Sequence, residues 1–246
     1  VTENPIAGMR VVVPAYFHPA AAPKAWQQLV RLASRLRLVI VNVHNGPGEE
    51  IDPGYPPVIE ALREAGVRLV GYIDSDYGRR TPSEISREAE TYLRRYQVDG
   101  VFLDQVSTGL PDLDHYAACV LGARSAGARF VALNPGAHPH PGYVDLANLT
   151  VTFEGPWAEY RAMSVPAWVS QFPPGRFAHL VHSLPVDSFA AGLHMAAERH
   201  VRGIFFTSSR GANPWDHVPA LLTGQMALAE LAEAARRTSA AATAAR

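Results

Sequence analysis

Cysteine is nearly absent from this chain. Cys119 is alone, which excludes an intramolecular disulfide, and its apolar helical surroundings predict a buried thiol rather than a nucleophile. Lysine is just as scarce: Lys24 is the single one and falls on the expected first helix. A lysine-dependent aldolase, which needs its amine at a strand end, is thereby set aside. A glycine-rich phosphate loop is missing too, which argues against a barrel enzyme acting on a small phosphorylated sugar. Charge of one sign is not in excess. The 22 basic and 23 acidic residues are interspersed and give a formal charge of -1, so there is no electrostatic footprint for nucleic acid or an anionic membrane. No apolar run reaches the length of a membrane span. Val1 opens a polar stretch without a charged-then-apolar leader, and the working compartment stays open between secretion after leader removal and the cytoplasm.

What is present is a run of 246 residues, 48% of them hydrophobic, enough for one sizeable core and near the usual length of a (β/α)₈ barrel. Short apolar runs alternate with longer helical patterns, the order of repeated βα units around a parallel sheet. Eight strands are expected, at 10–14, 38–43, 68–73, 100–103, 129–133, 150–153, 177–182 and 203–206. Most are Val, Ile, Leu or Phe almost throughout, as strands buried on both faces should be. The seventh has a rival in 167–171, which reads as a short strand or a long active-site loop. Thr81, Pro82 and Glu84 combine an N-cap, a first-turn proline and a capping-box acid, predicting a helix from Pro82 to about Arg95. Asp112 and Asp216 are candidate N-caps, and Gly66, Gly127 and Gly203 candidate left-handed helix ends. The expectation is one α/β TIM-barrel domain over 1–246, with a core of about 10–232 and a helix fraying beyond Glu230.

Barrel enzymes keep their chemistry at the carboxyl ends of the strands, so the polar residues just after each apolar run are the informative ones. In chain order these are Tyr16 and His18, His44 and Asn45, Asp74 and Asp76, Asp104 and Gln105, Asn134, Glu154, Ser183, then Thr207 and Ser208. Carboxylates, amides, hydroxyls, imidazoles and aromatic rings on one rim suit a carbohydrate groove. Glycoside hydrolysis needs two carboxyl groups flanking the scissile bond. Asp104 and Glu154 are the expected pair, each directly following a short strand-forming run, Val101-Phe102-Leu103 and Val151-Thr152-Phe153. Tyr16, His18, His44, Asp74, Gln105, Asn134, Ser183 and Thr207 are the candidate sugar-binding residues. Asp74 and Asp76 lack the further carboxylates and glycine of a calcium loop, and His138 and His140 sit in a proline-rich loop without zinc-ligand context. Neither a metal nor an organic cofactor is expected.

Four stretches carry a resemblance: Val11-Val12-Val13-Pro14-Ala15-Tyr16-Phe17, Gly100-Val101-Phe102-Leu103-Asp104, Leu133-Asn134-Pro135-Gly136 and Thr152-Phe153-Glu154-Gly155. Together they resemble the spherulin-4 family over about 10–208. The resemblance implies a (β/α)₈ glycoside hydrolase, distantly similar to endo-α-1,4-polygalactosaminidases. It also implies an α-1,4-linked polymer of galactosamine and N-acetylgalactosamine as substrate, such as galactosaminogalactan. It carries the family's strand-four aspartate onto Asp104 and its strand-six glutamate onto Glu154. One departure stands out: the family's hydrolases have Asp-Glu after strand four, where this chain has Asp104-Gln105, and glutamine can hydrogen-bond a sugar but cannot transfer a proton. That keeps a non-catalytic carbohydrate-binding barrel as the alternative to an endo-acting glycosidase. The oligomeric state is left open.

Overall fold

The computed structural model describes residue 6 and residues 8–219. Its eight strands are β1 (Arg10–Ala15), β2 (Leu36–Val41), β3 (Leu69–Asp74), β4 (Gly100–Asp104), β5 (Phe130–Leu133), β6 (Leu149–Pro156), β7 (Phe177–His182) and β8 (Gly203–Phe206). All pair in parallel with their sequence neighbours, and β1 also pairs with β8, closing the barrel. The intervening helices are α1 (Pro23–Arg31), α2 (Tyr55–Glu64), α3 (Pro82–Tyr96), α4 (Leu113–Ser125), α5 (Gly142–Leu146), α6 (Trp157–Ala162) and α7 (Phe189–Glu198). The chain is thus a (β/α)₈ TIM barrel. The helix expected beyond Glu230, and the core limit near 232, lie outside the described residues.

Burial explains why the strands form where they do. Nearly every strand residue is buried, so the apolar runs face the barrel interior on one side and the helical layer on the other. The helices bring their own apolar faces to that layer. In α3, Ile85, Ala89, Tyr92 and Tyr96 are buried, a spacing that lines one side of a 3.6-residue helix. Both halves of the expected capping box are made: Thr81 Oγ1 accepts from Glu84 N–H at 3.3 Å, and Glu84 Oε2 accepts from Thr81 N–H at 2.7 Å. The Tyr92 ring lies so close over β3 that a Cβ on Gly71 would meet it at 2.3 Å. Cys119 is buried in α4, and burial pushes its thiol up to about 11.

The expected seventh strand, Phe177–His182, forms, and its rival segment Ala167–Gln171 is a 3₁₀ helix. Gly203 has no positive φ; the left-handed residue after α7 is His200 at φ 62. Gly203 serves close packing instead, since a Cβ there would sit 2.9 Å from that of Ala178. Asp112 stands at the N-cap position of α4 without a side-chain cap bond; the carboxylate of Asp216 binds His217, and the helix it was expected to cap lies outside the described residues. Gly66 and Gly127 do take positive φ, 77° and 110°.

Candidate active site

Paired residues on parallel strands point to the same face of a sheet. Tyr72 on β3 pairs with Phe102 on β4, and Asp74 with Asp104, so these four share the inner face in two layers. The Tyr72 and Phe102 rings stack at 6.4 Å, flooring the space under Asp104. Asn134, immediately after β5, is 5% exposed. Its Nδ2 donates to Asp104 Oδ1 at 2.6 Å and to Glu154 Oε2 at 2.5 Å, while its Oδ1 accepts from Gly136 N–H at 3.0 Å. Both amide protons are thus committed to carboxylates, and the oxygen that could have swapped places with the nitrogen is fixed by the backbone. One amide spans both acids, so their bonded oxygens lie within roughly 5 Å of each other, the short end of glycosidase carboxyl spacings.

Glu154 lies within β6, two residues before its end. The strand continues through Gly155 to Pro156, still paired to β7. Its route to the inner face is unusual. Val151 pairs with Ala178, whereas Phe153 pairs with His179 and Glu154 with Leu180, so Thr152 is an extra residue, a β-bulge. Phe153 packs with Trp157 and Tyr160 of α6, on the helical side of the sheet, in a cluster that Val151, Ala178 and Leu180 do not join. Simple alternation from Val151 would turn Glu154 outward. The bulge reverses the parity and turns it in. Its backbone N–H is then held by Gly136 O at 2.9 Å.

The two acids sit in different electrostatic surroundings. Burial, and then the nearby Asp104 charge, push the Glu154 carboxyl up to about 7, against hydrogen bonds from Asn134 and Trp215 that favour its charged form. Asp104 is also raised by burial, but Tyr72, its own loop backbone and Asn134 pull the other way. Both side chains keep part of their surface open, so a ligand can reach them. Tyr16 completes this wall: its ring meets Tyr72 edge-on at 5.4 Å, and burial with the Asp104 and Glu154 charges holds its hydroxyl protonated far above its ordinary range. Tyr72 and Trp215 were not foreseen. Tyr72 reads as one more core residue of an apolar strand, although period two from Asp74 would have placed it on the same face. Trp215 comes from the loop after β8, where only the closed barrel brings it beside β6.

The other expected residues are distributed differently. Asp74 borders Asp104 in register, and its Oδ1 accepts from Asp76 N–H at 2.7 Å. Asp76 binds Arg79 at 2.7 Å. Gln105 takes a left-handed φ of 52° and gives its carbonyl to Tyr77 N–H and Ser75 Oγ. His44 lines a neighbouring groove of about 760 Å³ between the loop after β2 and α3, with Arg80, Arg87 and Glu88 on its wall; neither Asp104 nor Glu154 lines it. His18 pairs with Asp52 at 2.9 Å and braces Tyr55. Ser183 hydrogen-bonds His182 at 3.0 Å, and Thr207 is fully buried with Oγ1 accepting from Ser209 N–H at 3.1 Å. These last three tie loops together. Ser209, His217 and Asp216 also cluster, but Ser209 Oγ lies 3.2 Å from Nε2 and 3.4 Å from Nδ1. It therefore sits beside the ring between the nitrogens, not along the Nε2 lone pair that a serine nucleophile needs. Among the described residues there is no group of three or more His, Cys, Asp or Glu side chains able to hold a metal ion.

Comparison with known proteins identifies the family and bears out the barrel fold. The family model described as spherulation-specific family 4 matches residues 10–229. Spherulin-4 of Physarum polycephalum is 24% identical, over 86% of this chain and 67% of its own length. Among solved structures, Sph3 of Aspergillus clavatus in complex with GalNAc is 25% identical with a TM-score of 0.75, covering 87% of this chain and 95% of that one. The spore cortex-lytic enzyme SleL of Bacillus cereus shares the fold alone, at 8% identity and a TM-score of 0.53 over 80% of this chain and 70% of that one.

Proposed function

The chain belongs to spherulation-specific family 4, and from that premise we propose that it is a retaining, endo-acting glycoside hydrolase of α-1,4-linked galactosamine and N-acetylgalactosamine polymers, built as one barrel domain. The observation that carries this reading is the single Asn134 amide shared by Asp104 and Glu154. It keeps one oxygen of each carboxyl within roughly 5 Å of the other, which supports the retaining mechanism over the inverting one, and their different surroundings suit the two roles. Glu154, raised to about 7, keeps its proton near neutrality and donates it to the leaving glycosidic oxygen. Asp104, with three hydrogen-bonding groups favouring its anion, attacks the anomeric carbon. Water then takes the place of the leaving sugar, gives its proton to the Glu154 carboxylate, and releases Asp104. Tyr16, Asp74 and Gln105 at the mouth orient hydroxyl or amide groups of the sugar, and the groove at His44 receives the chain as it leaves the centre. The GalNAc bound by Sph3 supports an amino-sugar substrate.

Gln105 favours a second reading, a barrel that binds the polymer without cutting it. The test is incubation of the purified protein with acetylated and partly deacetylated galactosaminogalactan, followed by mass spectrometry. Shorter oligosaccharides are expected. Binding without products from wild type, with cleavage gained in Gln105→Glu, would establish the binding protein instead.

A further inference from the structure

The bulge at Thr152 has its own buried support. Thr152 Oγ1 lies 3.1 Å from His179 Nε2, and His179 Nδ1 lies 3.0 Å from the Tyr160 hydroxyl. Thr152, His179 and Tyr160 are 1%, 0% and 0% exposed, and none of them reaches the carboxylates. Their arrangement follows the bulge itself: Thr152 and Phe153 oppose the single residue His179 across the β6–β7 ladder, so two side chains of one strand face one imidazole. Phe153 packs against that imidazole at 6.1 Å and against Tyr160 at 4.9 Å. Tyr160 is in turn fixed on α6 by the Arg199 guanidinium, 4.4 Å over its ring. A buried histidine with both nitrogens bonded to hydroxyls is costly to keep unless that geometry is kept whole. Sliding β6 by one residue would break the Thr152–His179 bond and turn Glu154 out of the barrel.

We propose that Thr152, His179 and Tyr160 are positioning residues that lock the β6 bulge in place and thereby aim Glu154 at the substrate. The proposal rests on the glycosidase reading for its kinetic consequence, but its structural content is independent of it. A lock of this kind acts on the acid while leaving the sugar contacts alone. Loss of the Thr152 hydroxyl therefore lowers kcat with little change in KM, because small misplacements of a reacting group can cost up to about 100-fold.

The experiment compares Thr152→Val, which keeps the shape and removes the hydroxyl, with Thr152→Ser, which keeps the hydroxyl, and with Tyr160→Phe. Each is read by kcat, KM, the pH–rate profile and the titration of the Glu154 carboxyl by carbon NMR, with Glu154→Gln identifying the signal. Thr152→Val and Tyr160→Phe are expected to lose about 10- to 100-fold in kcat and to titrate lower at Glu154, as a loosened strand admits water. Thr152→Ser restores both. In the Glu154→Gln background, Thr152→Val should cost nothing further. A fall in melting temperature with kcat and the Glu154 titration unchanged would overturn the lock and leave a purely structural role. If wild type cleaves no polymer, the glycosidase reading fails, and the carboxyl titration alone decides the lock: a shift in Thr152→Val reversed in Thr152→Ser upholds it, and an unmoved titration rejects it.

Discussion

At the scale of single residues, the centre depends on an unequal pair of acids. If Glu154 is the proton donor, activity falls as pH rises through about 7, and a rate that instead climbs through that pH would reverse the two roles. Glu154→Gln and Asp104→Asn should each cost at least about 10²–10⁴-fold in cleavage, measured as product release from polymer. The same substitution predicts a stability change of known sign. Because the folded Glu154 carboxyl is raised from 4.5 to about 7, its contribution is most favourable below pH 4.5 and is lost progressively up to about pH 7. Glu154→Gln should therefore gain up to roughly 3 kcal/mol over wild type at pH 8 and nothing at pH 4, checked by denaturant unfolding at the two pH values. Asn134→Ala removes a bond that favours the anion and moves the alkaline limb of the rate profile upward. Asp104, Asn134 and Glu154 could be read from the chain because each follows an apolar run. Tyr72 and Trp215 were missed, one because it stands inside an apolar strand and the other because it is far along the chain.

At the scale of elements, local chemistry and tertiary packing divide the work. The start of α3 was legible because its cap is made by residues next to one another. Thr81→Ala should cost about 1 kcal/mol without affecting cleavage, a result that thermal unfolding and the polymer assay together would check. Gly71 is different: nothing in the chain nearby announces that Tyr92 will lie against it. Gly71→Ala should destabilise by about 1–3 kcal/mol through overpacking, whereas Gly66→Ala, with open space around its Cβ, pays only for its left-handed backbone. Strand ends were less legible than strand centres. β2 was expected at 38–43 but runs Leu36–Val41, because Arg37 can extend in the ladder and send its guanidinium to Gly175 O. The β6 bulge left no mark in the hydrophobic pattern, as Val151, Thr152 and Phe153 all suit a strand whichever way they point.

At the scale of the whole molecule, two buried groups oppose each other in pH. Burial holds His179 neutral, well below its ordinary range, so its contribution is present above the unfolded histidine value near 6.5 and is lost as pH falls. The Glu154 contribution is lost in the other direction, as pH rises from 4.5 toward 7. Between those limits the two slopes offset each other. Glu154→Gln should unmask the histidine, so that stability rises with pH across this window more steeply than in wild type; equal slopes in the two proteins would count against a buried, raised Glu154. The amino-acid sequence alone determined the number of strands, the parallel βα order and the rim on which Asp104, Asn134 and Glu154 stand. Apolar runs, caps and helical spacing are local, and a right-handed βα repeat has few ways to bury eight such runs. Only the tertiary structure decided which rim residues meet. The loop after β8, packed on His182 and Phe205, brings Trp215 to Glu154, the long loop after β2 takes His44 into its own groove, and the His179 imidazole on the neighbouring strand holds the bulge that turns Glu154 inward. Those choices depend on register and packing between residues distant in the chain, where a shift of one position exchanges the faces of a strand.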